Sequence, residues 1–193
     1  MRTVANPARN CVAVLFVILF LFGDCSAAIA RSRLPSRPPS PAPSVGAMSL
    51  DVARLVVAGA VKKPLSLSLI DLGGFPRQIL RAKSEHDTEE HTYQGVLLTE
   101  ILKRAGVPQG EELRGADMAT HVIAEGEDGY RATFSLAELD ASFQDSGVLV
   151  ADTMDGEPIG GNVGPLRLIV PHDKRSGRWV RMLRLITVVT AGK

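Results

Sequence analysis

From residue 50 to residue 189 the apolar residues come in short runs, many of them β-branched, and each run is closed by glycine, proline or a charged turn. Such punctuation leaves no room for long helices and favours short strands joined by turns. Residues 55–61 (LVVAGAV) read as a strand that Lys62-Lys63-Pro64 stops. Ser68 with Asp71 three residues on opens a short helix through a capping box, and Gly73-Gly74 and Pro76 end it. Residues 79–82 form a further strand. Val96, Leu97, Ile101, Leu102 and Ala105 then recur at helical spacing until Gly106 and Pro108. Val122-Ile123-Ala124, the Asp128-Gly129 turn and residues 130–134 read as a hairpin, followed by a second capping box at Ser135 and Glu138. Residues 148–151 and 166–170 are strands on either side of a glycine-rich loop (GEPIGGNVG). In the closing strand Val180, Met182 and Val188 share one parity, which Leu183 and Leu185 break. The expected fold class is α+β, a mixed β-sheet with short helices.

The first thirty residues read as an address. Arg2 and Arg9 make a basic start, residues 11–22 are an unbroken apolar run of twelve (CVAVLFVILFLF), and Ala28-Ile29-Ala30 has the small-x-small pattern of a cleavage site. Twelve residues are too few for a helix that crosses a hydrocarbon core, which takes about 20. A retained anchor and lipidation at Cys25 are the alternatives. Cleavage after Ala30 implies a secreted or periplasmic protein with no membrane span after processing. Residues 31–47 (RSRLPSRPPSPAPSVGA), with five prolines and four serines, read as a linker. The expected organisation is therefore a signal peptide at 1–30, a linker at 31–47 and one domain at 48–193.

Charge narrows the partners. Twenty-two Lys and Arg face 21 Asp and Glu, a formal charge of +1, and the first thirty residues hold only Arg2, Arg9 and Asp24 of these. A neutral body lacks the cation surplus that nucleic acid or an anionic membrane demands. No nucleic-acid partner is expected; a small anionic or pterin ligand and a protein partner are. Both cysteines, Cys11 and Cys25, lie in the expected signal segment, so the body has neither a disulfide nor a thiolate to offer.

Five pieces now stand in order: PLSLSLIDL, YQGVLLTEILKRAG, EDGYRATFSLAELD, GPLRLIVP and RWVRMLRLITV. In that order, across roughly residues 50–190, the chain resembles the molybdopterin-binding domain of the sulfite-oxidase-like oxidoreductases. The resemblance implies enzymes that hold molybdenum on a pterin and transfer oxygen atoms. In the family a cysteine thiolate binds the metal shortly before an aromatic-x-Gly-Val motif, matched here by Tyr93-Gln94-Gly95-Val96. The equivalent position falls near Lys83 or Ser84, and no cysteine is there. The chain also resembles a small member without the dimerisation domain of larger ones. The family's basic pterin- and phosphate-contacting segment is matched by Lys174, Arg175, Ser176, Gly177, Arg178 and Arg181, with Arg178 and Arg181 the best-matched pair.

The candidate cofactor-binding residues are thus Arg178, Arg181, Lys174, Arg175 and His172, the last placed beside Pro171 just before the basic cluster. Guanidinium groups suit phosphate because they present a planar fork of donors; the plain alternative is a solvated turn whose charges block edge pairing. No catalytic residue and no metal ligand is assigned. Glu85, His86, Asp87, Glu89, Glu90 and His91 could take a divalent ion, but their spacing matches no standard site and a solvated loop is the preferred reading. No cofactor is expected, with molybdopterin as the alternative. The expected function is an exported module, degenerate for molybdenum catalysis, that binds a ligand or partner. The alternative is an active molybdopterin-dependent oxidoreductase with a non-cysteine or partner-supplied metal ligand.

Overall fold

Leu55 and Val57 point inward and Arg54 outward along β1 (Arg54–Gly59), the alternation of a half-buried strand. The computed structural model describes residues 54–145 and 147–190. The expected signal peptide and linker lie outside the described residues.

After β1 the chain turns at Lys62-Lys63-Pro64 into β2 (Leu65–Ser68), which pairs antiparallel with β1. Ser68 then caps α1 (Leu69–Gly73): its hydroxyl accepts from the Asp71 N–H while the Asp71 carboxylate accepts from the Ser68 N–H. β3 (Arg77–Ala82) and β4 (His91–Leu97) form an antiparallel pair, and α2 (Leu98–Arg104) follows β4 directly. β5 (Thr120–Gly126) and β6 (Arg131–Ser135) are the expected hairpin, and Ser135 caps α3 (Leu136–Leu139) through the expected box with Glu138. The remaining strands are β7 (Leu149–Met154), β8 (Glu157–Pro158), β9 (Arg167–Ile169) and β10 (Leu183–Thr190).

These strands make two sheets. The first runs β2-β1-β10-β5-β6 and is mixed, because β1 and β10 are parallel. The second runs β3-β4-β7-β8 with β9 also on β7, all antiparallel. Leu55, Val57 and Ile186 of the first sheet share one buried cluster with Tyr93, Val96 and Leu168 of the second and with Ile101 and Leu102 of α2. The architecture is α+β, and the expected mixed sheet is one of two.

Two local features sharpen the sequence reading. Val96 and Leu97 belong to β4, so the helix expected from Val96 begins only at Leu98. Gly95 explains why: a Cβ there would lie 2.0 Å from the Val150 carbonyl oxygen, so only glycine lets β4 approach β7 at their bulge. The broken parity of the last strand is a β-bulge between Leu183 and Leu185, which puts Leu183 on the same buried side as Ile186 and Val188. Among the described residues no helix is long and apolar enough to cross a membrane.

Candidate functional site

Four connections converge on one cavity of about 430 Å³: the loop after β3 with Ser84, Glu85, His86 and Asp87, the β5–β6 turn with Asp128 and Tyr130, the entry to β9 with Val163 and Arg167, and the segment before β10 with Ser176, Gly177, Trp179 and Arg181. Its volume lies in the range of small-molecule sites.

Ser84 begins a loop whose charges keep it at the surface, yet Ser84 itself is buried. Its hydroxyl donates to Ser176 Oγ at 3.0 Å and accepts from the His86 N–H at 3.3 Å. Glu85 accepts from the Ser176 N–H, and this bond holds its carboxyl below the usual range. On the other side Tyr130 donates its hydroxyl to the Gly177 carbonyl. Ser176 and Gly177 thus tie the segment before β10 to both neighbouring loops.

The back of the cavity is aromatic and cationic. Trp179 is buried, donates Nε1–H to the Val170 carbonyl at 2.9 Å, and meets Tyr93 edge to face at 5.9 Å between ring centroids. The Arg167 guanidinium lies 5.3 Å from the Trp179 centroid and 6.0 Å from that of Tyr93. Arg167 Nε and the Tyr93 hydroxyl are buried and find no hydrogen-bond partner among the described residues. Burial raises the Tyr93 pKa above its ordinary value. Leaving such groups unpaired costs about 1–3 kcal/mol each.

Arg181 reaches the cavity through an unusual backbone. Met182 has φ +47°, a left-handed conformation rare for a side chain of this size. Its N–H donates to Val163 and its carbonyl accepts from the Glu127 N–H, which fixes the turn. A Cβ on Gly126 would stand 2.5 Å from the Arg181 carbonyl oxygen, so this close approach also needs glycine. Arg181 is exposed and makes no ion pair with a described residue.

The structure separates the five candidate residues. Arg181 lines the cavity. Arg178 does not: its Nε and one terminal nitrogen grip both oxygens of Asp173 at 2.8 and 2.6 Å, its other terminal nitrogen takes Glu138 at 2.5 Å, and its plane covers the Phe134 ring at 4.7 Å. These hydrogen bonds raise its pKa further. Lys174 and Arg175 are exposed and do not line the cavity. His172 lines a separate hollow with Leu97, Leu139 and Gln144. The charged loop gathers no metal set: His91 pairs with Asp155 at 2.6 Å, and among the described residues no group of three or more His, Cys, Asp or Glu is placed to hold an ion.

Sequence reasoning missed Arg167. Its one signal was a lone arginine inside the apolar run of residues 165–171, where Leu166, Leu168 and Ile169 are all buried.

Comparison with known proteins agrees with the architecture. A family model described as oxidoreductase molybdopterin binding domain matches residues 43–193. Among solved structures, the chain is similar to the sulfane dehydrogenase SoxCD from Paracoccus pantotrophus, with a TM-score of 0.58 and 24% identity over 76% of this chain. It spans 41% of that longer chain. No curated protein matches it.

Proposed function

Since the chain belongs to the family of oxidoreductase molybdopterin-binding domains, we propose that it is an exported binding module of that fold, which takes a small anionic ligand of the pterin class beside Ser84 without performing molybdenum chemistry. The observation that carries this reading is Ser84. It is one of the two residues, Lys83 and Ser84, near which the resemblance puts the metal-binding cysteine; it lines the cavity, and its hydroxyl is already engaged with Ser176.

The donor set does not fit molybdenum. A neutral hydroxyl is harder and far less acidic than a thiolate, and both cysteines of the chain precede residue 26. His86 lies near but offers an imidazole, which does not replace the electron donation of sulfur. The cavity does fit an anion. Arg167 and Arg181 line it with no carboxylate partner, whereas two of its three acidic residues, Glu85 and Asp128, already accept backbone N–H groups. Anion binding asks only for charge and donors.

The retained cavity also supports a second reading, an active oxidoreductase whose metal ligand comes from a partner. Turnover separates the two. Chain purified from a host that makes the cofactor should bind neopterin monophosphate saturably by calorimetry and leave sulfite and sulfoxides unchanged. Absence of saturable binding at millimolar ligand would refute the module; turnover on addition of a partner would favour the enzyme. Export is supported by the basic start, the short apolar run and Ala28-Ile29-Ala30. N-terminal sequencing of secreted material should begin at Arg31, and a start at Met1 would contradict this.

A further inference from the structure

The turn between β1 and β2 is clamped to the end of α2, where the Lys63 N–H donates to the Ala105 carbonyl at 3.0 Å. Gly106, which stops that helix, has φ +76°, and a Cβ there would stand 2.8 Å from the Cβ of Lys62. Glycine makes the left-handed turn at little cost and leaves room for the Lys62 stem to lie on it. Lys62 is thereby held between two hollows of about 450 and 290 Å³, which share it with Gly106 and Glu112.

The larger hollow ends against Thr120 at the start of β5 and Thr190 at the end of β10. The cavity beside Ser84 lies past the other ends of these two strands, at Asp128 and Arg181. The seven residues of β5 run between them, roughly 20 Å at the rise of a strand. The hollow is remote from the first cavity.

Its charges are balanced in number and unpaired. Lys62 and Lys103 belong to the β1–β2 turn and α2; Glu112 and Asp117 belong to the short turns of 3-10 helix at Gly110–Glu112 and Gly115–Ala119. None of the four makes an ion pair or side-chain hydrogen bond with a described residue. The floor adds a donor. Thr120 is buried and shares one hydrogen bond of 3.2 Å with the Thr190 hydroxyl, so one of the two hydroxyl protons is left over. A lone anion entering here meets two carboxylates, and a lone cation meets the lysines. A molecule that carries both signs avoids both penalties.

We propose that this hollow binds a small zwitterion, with a primary ammonium and a carboxylate a few bonds apart as in a free α-amino acid or a short peptide. The carboxylate goes to Lys62 and the threonine hydroxyls, the ammonium to Glu112 and Asp117. The volume suits a ligand of that size, with an apolar side chain against Val61 and Pro108. This site is independent of the cavity beside Ser84 and of the function proposed for it.

The test is amide NMR of the full chain, titrated with L-leucine and with the dipeptide Leu-Leu. N-acetyl-leucine, which lacks the ammonium, and leucinamide, which lacks the carboxylate, are titrated in parallel. At least one zwitterion should shift the Gly106, Thr120 and Thr190 amides saturably, with a Kd of about 10 mM or below, and leave Gly177 of the first cavity unmoved. Both blocked compounds should bind about fivefold more weakly or worse. The side chains to be substituted are exposed, so the fold does not rest on them. Lys62→Gln should weaken the tighter zwitterion about threefold or more, and so should Glu112→Gln combined with Asp117→Asn. Arg81→Gln, which lines neither hollow, should stay within about twofold of wild type. No saturable shift at those amides with either zwitterion up to about 50 mM would overturn the site. So would a blocked compound that binds as tightly as L-leucine, or wild-type affinity in either charge variant. Should a variant not fold, the blocked compounds decide on the unaltered protein. Tighter binding of Leu-Leu points to peptides as the source of the zwitterion; tighter or equal binding of L-leucine points to the free amino acid.

Discussion

The Tyr93 hydroxyl lies in the core without a hydrogen-bond partner among the described residues, while its ring packs against Trp179 and the Arg167 guanidinium. Removing the hydroxyl removes an unanswered polar group and leaves the ring contacts. Tyr93→Phe should therefore melt at the wild-type temperature or above it, and a fall of more than about 4 °C would contradict this, being roughly the shift for 1 kcal/mol in such a domain. Arg178 behaves oppositely. Its bonds to Asp173 and Glu138 join three parts of the chain, but its side chain is 37% exposed, so solvent discounts them. Arg178→Ala should cost about 1 kcal/mol, read as a lower melting point, and leave phosphate affinity unchanged. An unchanged melting point with lost affinity would return Arg178 to the ligand site. At this scale a sequence shows which arginines exist and hides which are already answered. Arg181 was visible in its basic segment; Arg167 was hidden because its isolation depends on strands far away in the chain.

Elements with their own chemical punctuation were legible. Both capping boxes stand where Ser68 with Asp71 and Ser135 with Glu138 put them, since the signal is local. The β4–α2 junction was not, because Val96 and Leu97 lie at helical spacing from Ile101 and also continue a strand set by Gly95 against Val150. The partner strand decides, and short apolar runs do not name their partner. Pairing also creates the clearest pH dependence. Glu125 on β5 is bonded by Arg184 of β10 and Arg131 of β6, and these bonds, that of Arg184 first, hold its carboxyl below the usual range. A lowered folded pKa gives stability above the unfolded value, lost as pH falls through the folded one. The melting point should be flat from about pH 7 to pH 5 and fall below about pH 4, with Glu125→Gln less stable at neutrality and less sensitive to acid. Identical acid limbs for the two proteins would remove Glu125 from this role.

Across the whole domain, two sheets and one core bring four distant connections together at a cavity. The family was legible because five sequence pieces kept its order. The chemistry of the cavity turned on one position, Ser84, whose partner Ser176 lies 92 residues away and which only the folded chain brings within 3.0 Å. A cavity with free arginines and no thiolate can hold an anion and lacks the soft donor for the metal. Elemental analysis of the protein, purified from a host that makes molybdopterin, tests this most directly. The account predicts molybdenum far below one atom per chain, whether or not a pterin or phosphate is bound. Near-stoichiometric molybdenum with turnover of an oxo-transfer substrate would contradict it.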